Sequence, residues 1–445
     1  MIMKTFVNKI KYSLLGVAAF FCVSGCNFLD VDPELGLSDE EVFGSYSSFR
    51  KYFDWIYESN GGKNMERILI AYPFYYDLFQ QYSFSWYNTT DIADAGKMGV
   101  TQQYFKQGAL TQDFLAKVTF DTGKADNKPI AKAMFSTIRR CNMTIAHINE
   151  CLNITEDQKN DLLGQAFALR GFAHFTLGRL FGGMPYLDHV IEADEEWDLP
   201  RLSTHETFTR AAEDLKTGYE MMAAAGVARR NTPENLVSGT VDEINGIAAI
   251  GIRSRALLYA ASELHNERGQ EDWVVEAAAE ALKAALDAGF TLLPAAQYTD
   301  NFYGKQMTNE TIWSWSYKAK NNHANFVGIL AYPQSGRAGS SGVCPTQNFV
   351  DRYETAYGEP LVTEEDKAAA IAAGHYNPQN PYADRDPRLD MTIVHDGSAD
   401  AAASGKVINI YYDPAKKNYP VTKLSGVNVT FGIDWGSKDN GTQGY

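Results

Sequence analysis

Residues 164–175 read GQAFALRGFAHF, and residues 179–185 read RLFGGMP. The first run intersperses small residues among large apolar ones, and small residues let a neighbouring helix approach closely. A capping box, TEDQ at 155–158, precedes this run. The Gly-Gly pair and the proline of the second run are typical of a helix end. The sequence therefore predicts a helix that opens at Thr155 and continues through Leu180.

Other helices are predicted on both sides of this one. Residues 129–152 repeat apolar side chains every three or four positions, as an amphipathic helix does. Capping boxes open two more helices, at Ser203 and at Thr240 (the latter through about Leu264), and the Ala-rich stretch 271–288 ends at Gly289. A strict repeat of about 34 residues is not visible. The pattern predicts a mainly α fold, built as a tetratricopeptide-like scaffold of helical hairpins.

The rest of the chain after residue 37 divides into an earlier helix and two irregular regions. A capping box at Ser38 opens a helix with one apolar stripe, formed by Val42, Tyr46, Phe49, Phe53 and Ile56. Residues 59–127 are interpreted as a long, partly structured excursion, of the kind that tends to be functional or disordered. Residues 290–445 are rich in loops, with a short helix at 363–373 and few short strands, predicted at 310–317 and 406–412. We expect an N-terminal helical region at 38–289 and a loop-rich C-terminal region at 290–445.

The N-terminus has the architecture of a secretory leader. Lys4, Lys9 and Lys11 precede an apolar run from Leu14 to Val23, which is too short to span a membrane. Small residues then stand directly before Cys26. The pattern predicts a signal peptide at 1–25, lipidation of Cys26 and an acidic tether at 26–37. The alternative is ordinary cleavage near Cys22 or Gly25.

Composition limits the classes of function. The formal charge is −15, and removing a leader with three Lys and no acid leaves −15 − 3 = −18. Nucleic-acid binding needs clustered Lys and Arg, so this balance argues against it. Five cysteines are too few for a disulfide framework in 445 residues, and no spacing typical of zinc ligands occurs. Asp384, Asp386 and Asp390 lack the spacing of a calcium loop and are interpreted as part of a structural turn. We expect no metal and no cofactor.

Several segments together resemble the SusD/RagB family of Bacteroidota outer-membrane lipoproteins. The resemblance rests on Cys26 with the tether CNFLDVDP at 26–33, on IRRCN at 138–142 before the two runs quoted above, and on two C-terminal segments, PTQNFVDRYE at 345–354 and NPYADRDPRL at 380–389. It implies a scaffold of tetratricopeptide-like hairpins with a loop-rich ligand-binding face. It also implies a cell-surface lipoprotein held in outer-membrane lipid by acylated Cys26. It also implies a SusC-like TonB-dependent transporter as partner, and an oligosaccharide or a peptide as ligand. Family members continue past the position of Tyr445, so an incomplete C-terminal region is expected.

Glycan capture needs aromatic faces for the sugar rings and polar groups for the hydroxyls. Two segments offer this mixture, so the candidate ligand-binding residues are Trp86, Tyr87, Asn88, Asp91, Trp313, Trp315 and Tyr317. The alternative for Trp313 and Trp315 is that they pack inward from a strand. No catalytic motif stands out among the 55 acidic residues, so no enzyme is expected. A secreted glycoside hydrolase and a purely structural lipoprotein remain the rival classes.

Overall fold

The computed structural model describes residues 38–57, 90–94, 108–109, 130–192, 194–230, 243–266, 272–303, 307–314, 344–399, 421–424 and 427–430. Helices dominate these residues, and the prediction of a mainly α fold is confirmed. The leader, Cys26 and the tether lie outside the described residues, as does nearly all of the excursion at 59–127. The expected strand at 406–412 also lies outside them.

Most of the described elements are α-helices, and the others are two 3-10 turns and four short strands. The α-helices are α1 Asp39–Phe43, α2 Tyr46–Asp54, α3 Ile130–His147, α4 Glu156–Phe181, α5 Thr204–Ala224, α6 Gly246–Ala260, α7 Asp272–Asp287, α8 Asp300–Tyr303, α9 Gln347–Val350, α10 Glu364–Ala372 and α11 Arg388–Thr392. The 3-10 turns are Ile148–Glu150 and Ala295–Gln297. The strands are β1 Ala93–Asp94, β2 Cys344–Pro345, β3 Val421–Leu424 and β4 Val427–Thr430.

A small compact unit contains described residues 38–52 and 147–154. Its aromatic core surrounds Phe43, whose ring stacks on His147 at 4.3 Å between centroids and meets Phe49 edge-on at 4.9 Å. The amide of Tyr46 donates to Asn153 Oδ1 at 2.8 Å, and this bond joins the two sequence-distant segments. The capping box at Ser38 is confirmed, because its hydroxyl accepts from the Glu41 amide.

The larger unit contains the helical stack, in which α4 packs on α5, α5 on α6 and α6 on α7. The predicted capping boxes at Thr155 and Ser203 are confirmed by their hydrogen bonds to Gln158 and Glu206. Helix α7 ends before Gly289, whose φ of 80° is the left-handed conformation that glycine adopts most readily. Neighbours in sequence therefore pack as neighbours in space, as in a hairpin array.

Glycines seven residues apart bring α4 and α5 into close contact. A Cβ on Gly164 would lie 2.7 Å from Met222 Cγ, and one on Gly171 would lie 2.6 Å from the carbonyl oxygen of Ala211. At the third position, Gly178, the added atom would lie 2.7 Å from the Phe208 ring. The contacts run backwards along α5, so the two helices are antiparallel. Helix α4 thus has a glycine-lined face against which α5 lies.

The C-terminal residues 344–399 enclose a small apolar cluster of their own. Val350, Leu389 and Ile393 are buried in it, with Tyr353 and Tyr382 at its edge. The strands form two antiparallel pairs, β1 with β2 (Ala93 opposite Pro345) and β3 with β4 (Val421 opposite Thr430). The predicted helix at 363–373 is confirmed as α10, capped by Thr363. The β3–β4 hairpin was not predicted.

Two helices near the N-terminus differ from prediction. The expected stripe from Val42 to Ile56 is divided between α1 and α2, because the chain leaves the helix at Gly44. Helix α3 ends at His147, so Leu152, which was expected on its apolar face, is 91% exposed.

Two further predictions are wrong. Asn245 caps α6, with its Oδ1 accepting from the Ala248 amide, so Thr240 is not the cap. Residues 310–314 form turns instead of the first part of the strand expected at 310–317, and residues 315–317 lie outside the described residues. The Asn245 side-chain amide donates to the carbonyl of Ile312 at 2.8 Å, and Glu310 accepts from the Leu293 amide at 2.6 Å. These bonds to side chains replace the ladder that a strand would need.

Candidate functional site

A buried guanidinium lies at the centre of the α4–α5 contact. Arg170 donates from Nε and Nη2 to the two carboxylate oxygens of Asp214, each at 2.7 Å. Its Nη1 donates to Asn142 Oδ1 at 2.9 Å and to the carbonyl of Asp188 at 2.7 Å. Burial alone lowers the pKa of Arg170, but the hydrogen bonds and charge of Asp214 outweigh it and raise the pKa. Arg170 is therefore a charged structural anchor.

An imidazole next to this anchor is held in one tautomer. The Leu187 amide can only donate, and it lies 3.0 Å from Nε2 of His174. The proton must then be on Nδ1, which donates to the Arg170 carbonyl at 3.0 Å. The ring also stacks on Tyr186, whose hydroxyl donates to Asp214 at 2.6 Å. Burial lowers the pKa of His174 to about 3, so the ring is neutral.

These contacts fix the segment that follows α4. Asn142 donates through Nδ2 to the carbonyls of Leu187 and His189, and Arg210 forms an ion pair with Asp188. The residues of the 138–142 and 164–185 motifs thus hold the chain after the Gly-Gly turn. Their polar groups bond to one another, which explains the motif as structural.

Asp91 lies at the start of the β1–β2 pairing. Its carbonyl accepts from the Thr346 hydroxyl at 2.5 Å, and the Thr346 amide donates to Ile92. Its exposed carboxylate lies 3.8 Å from the Arg352 guanidinium. The excursion is therefore tied at this point to the C-terminal segment, and Asp91 offers an accessible acceptor there.

Trp313 is half-buried and meets the Phe172 ring of α4 edge-on, at 5.7 Å between centroids. This contact agrees with the inward-packing alternative, although the residue is in a turn and not in a strand. Five candidates lie outside the described residues: Trp86, Tyr87, Asn88, Trp315 and Tyr317. Their ligand contacts stay predictions.

Sequence reasoning missed the exposed aromatics of the described loops. Trp197 and Tyr357 are 65% and 64% exposed. Tyr357 stands directly before Gly358, whose φ of 82° marks a tight turn. An aromatic residue next to a turn glycine was the signal that could have found it.

The described residues contain no group of three or more His, Cys, Asp or Glu side chains that could hold a metal ion.

The turn interpreted at 384–390 is present: Asp386 accepts from the amide and guanidinium of Arg388, and Asp390 pairs with His395. The hydrogen bonds from Arg388 lower the pKa of Asp386. The cysteines at 141, 151 and 344 are buried. Within the described part of the chain, no helix is long and apolar enough to span a membrane.

The stack of helical hairpins with an irregular C-terminal region is shared with solved SusD-like proteins. One, a SusD-like protein from Bacteroides fragilis, is 20% identical, with a TM-score of 0.54 over 81% of this chain and 63% of its own. A SusD-like carbohydrate binding protein from the same species is 17% identical, with a TM-score of 0.52 over 91% of this chain and 71% of its own. The chain thus spans about two thirds of their length.

Two family matches cover most of the sequence. Residues 27–232 match the SusD-like family described as "Starch-binding associating with outer membrane", and residues 309–442 match the SusD/RagB family. The chain belongs to the SusD family, whose members are binding proteins associated with the outer membrane. No curated protein matches the sequence.

Proposed function

We propose that this protein is a cell-surface lipoprotein that captures an oligosaccharide and delivers it to a SusC-like TonB-dependent transporter. The observation that carries the proposal is the pair of SusD family matches, at 27–232 and 309–442, on a helical-hairpin fold. The description of the first match as starch-binding, and of one solved relative as carbohydrate binding, favours a glycan over a peptide.

The glycan is expected in the loops and not in the helical stack. Arg170 and Asp214 use their polar atoms within the protein, and such saturated groups offer a ligand nothing to bind. The candidates Trp86 and Tyr87 instead have the aromatic faces that sugar rings require. Asp91, exposed beside Arg352, adds a carboxylate that accepts from hydroxyl groups.

The membrane anchor is assigned to Cys26. Its sulfur takes the diacylglyceryl group and its new α-amine a further acyl chain, and two or more chains give stable membrane binding. Replacing Cys26 with Ala removes the acceptor sulfur, so the protein should lose palmitate labelling and leave the membrane fraction. Cys22→Ala is the matched control and should be labelled normally. Equal labelling of both variants would contradict the assignment.

The capture role is tested by a binding screen with the soluble mature chain from Asn27 onwards. Neutral and acidic oligosaccharides and mixed peptides are titrated by calorimetry, with product analysis after long incubation. Binding without turnover, weakened by Trp86→Ala combined with Tyr87→Ala, is the expected result. Binding only to peptides would replace the ligand class, and oligosaccharide cleavage would replace binding with hydrolysis.

The transporter role needs a separate experiment. Full-length tagged protein, extracted from outer membranes in mild detergent, should copurify with a large TonB-dependent barrel. The Cys26→Ala variant serves as the comparison, because it should lose the barrel if display at the membrane is needed for assembly. Recovery of the wild-type protein without a barrel would refute delivery while leaving glycan binding intact.

A further inference from the structure

The turn at residues 355–359 presents an aromatic ring on a rigid base. The Thr355 hydroxyl accepts from the amides of Tyr357 and Glu359 at 3.3 and 3.1 Å, and the Thr355 amide donates to the Glu359 carbonyl at 2.9 Å. The positive φ of Gly358 closes the turn. Tyr357 stands at its tip, where its backbone conformation is fixed from both sides.

A second strip of chain supports this turn. Thr355 bridges to Arg385, and the Ala356 amide donates to the Asp384 carbonyl at 2.7 Å. Asp384 holds a φ of 55°, a conformation rare for residues other than glycine. The buried Arg385 guanidinium donates to the carbonyls of Val350, Tyr353, Glu354 and Pro381. Arg385 therefore locks together the two segments that carry the turn.

One face of the Tyr357 ring is already covered. It stacks on the His375 imidazole at 3.8 Å between centroids with an interplanar angle of 17°. His375 is held in turn by Glu359, with 2.9 Å between Nδ1 and Oε1. Tyr357 as a whole residue is still 64% exposed. An exposed aromatic whose rotamer is already fixed loses little conformational entropy when a ligand covers it.

Two carboxylates, those of Glu354 and Glu359, lie in the chain on either side of Tyr357, and carboxylates accept hydrogen bonds. Glu354 is exposed, and its Oε2 lies 4.0 Å from the point where a Cβ on Gly358 would be. Within the described residues its carboxylate has no hydrogen-bond partner, whereas Glu359 is engaged by His375 and Thr355. An exposed aromatic residue next to a glycine whose neighbour is an unengaged carboxylate suits a pyranose, which packs its C–H face on the ring and donates its hydroxyls.

We propose that Tyr357 and Glu354 form a binding subsite for one neutral hexopyranose unit of a glycan, backed by His375. The subsite uses none of the candidate residues near 86 and 313, and it rests on the proposed glycan-capture function. The sugar is neutral because Glu354 and Glu359 repel a uronate or a sulfate group. A carboxylate a few ångströms from another carboxylate is unfavourable in any dielectric that a protein surface provides.

The test is calorimetry of the mature chain with maltohexaose, cellohexaose and mannohexaose, and with hexagalacturonate as the anionic probe. Tyr357→Ala should weaken the neutral glycan that binds by about three- to tenfold, the range for one aromatic contact. Tyr357→Phe keeps the ring and should bind like the wild type. Glu354→Gln should reduce the preference for the neutral glycan over hexagalacturonate. Trp197→Ala, which removes an equally exposed aromatic elsewhere, is the matched control.

The outcomes separate this inference from the capture function. Wild-type binding that is unchanged in Tyr357→Ala, with both proteins folded by circular dichroism, overturns the subsite alone. Equal losses in Tyr357→Ala and Trp197→Ala also overturn it, since the effect would then not be specific. Absence of wild-type binding to all three neutral glycans overturns the subsite and counts against oligosaccharide capture. A ring-dependent loss confined to Tyr357 supports both.

Discussion

Protonation of His174 should destabilise the fold in acid, and the loss in free energy of unfolding can be worked out from the structure. Both ring nitrogens are bonded in the neutral form, with Nε2 accepting from Leu187. A second proton would be on Nε2, where it would replace the acceptor of the Leu187 amide with a second donor. Burial lowers the pKa from 6.5 to about 3 in the folded state. As pH falls below 6.5, the unfolded chain binds a proton that the folded chain refuses.

The sign and magnitude follow from linkage. Stability from this residue is complete above pH 6.5 and declines as pH falls towards 3. Between pH 7.5 and pH 5 the loss is about 2 kcal/mol, since each unit of pKa difference is worth about 1.4 kcal/mol. Urea denaturation at the two pH values measures it in the wild type and in His174→Gln. The difference between the two pH values should shrink by about 2 kcal/mol in the variant.

His189 provides a control of opposite sign. It is exposed, and its hydrogen bonds to Asp188 and Glu195 raise its pKa. Its contribution is therefore present at low pH and lost as pH rises, so His189→Gln should not reduce the acid sensitivity. If wild type and His174→Gln lose the same free energy between pH 7.5 and 5, the neutral buried imidazole is not the cause and the reasoning fails.

Three substitutions test the contacts that build the scaffold. Asp214→Asn leaves the Arg170 guanidinium buried without its anion and should lower the free energy of unfolding by about 3 kcal/mol or more, measured by urea denaturation. Its control is Glu220→Gln, in an exposed pair on the same helix, which should lower it by less than about 1 kcal/mol. Gly171→Ala should lower the melting temperature despite the better helix propensity of Ala, because its Cβ meets a backbone carbonyl at 2.6 Å; an unchanged or higher Tm would count against close helix contact. Arg385→Lys cannot reach four carbonyls and should speed hydrogen exchange across 344–399, and equal exchange rates would contradict its role as anchor.

The parts of the fold that were predictable are encoded within one turn of chain. The capping boxes at Ser38, Thr155 and Ser203 each close within four residues, so sequence spacing alone specifies the hydrogen bonds. Gly289 similarly needs only its own backbone freedom to follow the end of α7. Element type and start could therefore be predicted without knowledge of tertiary contacts.

The errors arise where a distant partner decides. Alternating aromatics near Trp313 favour a strand by local pattern, but Asn245 and Phe172, far away in sequence, hold this segment in turns. The error at Thr240 is local by contrast, because Asn245, five residues later, caps α6 through the amide of Ala248. Tyr357 was missed for a related reason. Its exposure and its stacking on His375 depend on a turn that Arg385 supports from another segment.

The polar groups of the motif at 138–142 and 164–185 are satisfied within the scaffold, whereas the subsite proposed at Tyr357 consists of groups that the scaffold leaves exposed. The donors and acceptors of Arg170, His174 and Asn142 bond to one another and to the segment after α4. These residues would therefore build the same scaffold whatever ligand is bound. Ligand choice must then depend on groups that the scaffold leaves unsatisfied. Among the described residues, the exposed ring of Tyr357 with the carboxylate of Glu354 has this property. Substitutions there should change which glycan binds without changing stability, whereas substitutions at Arg170 should do the reverse.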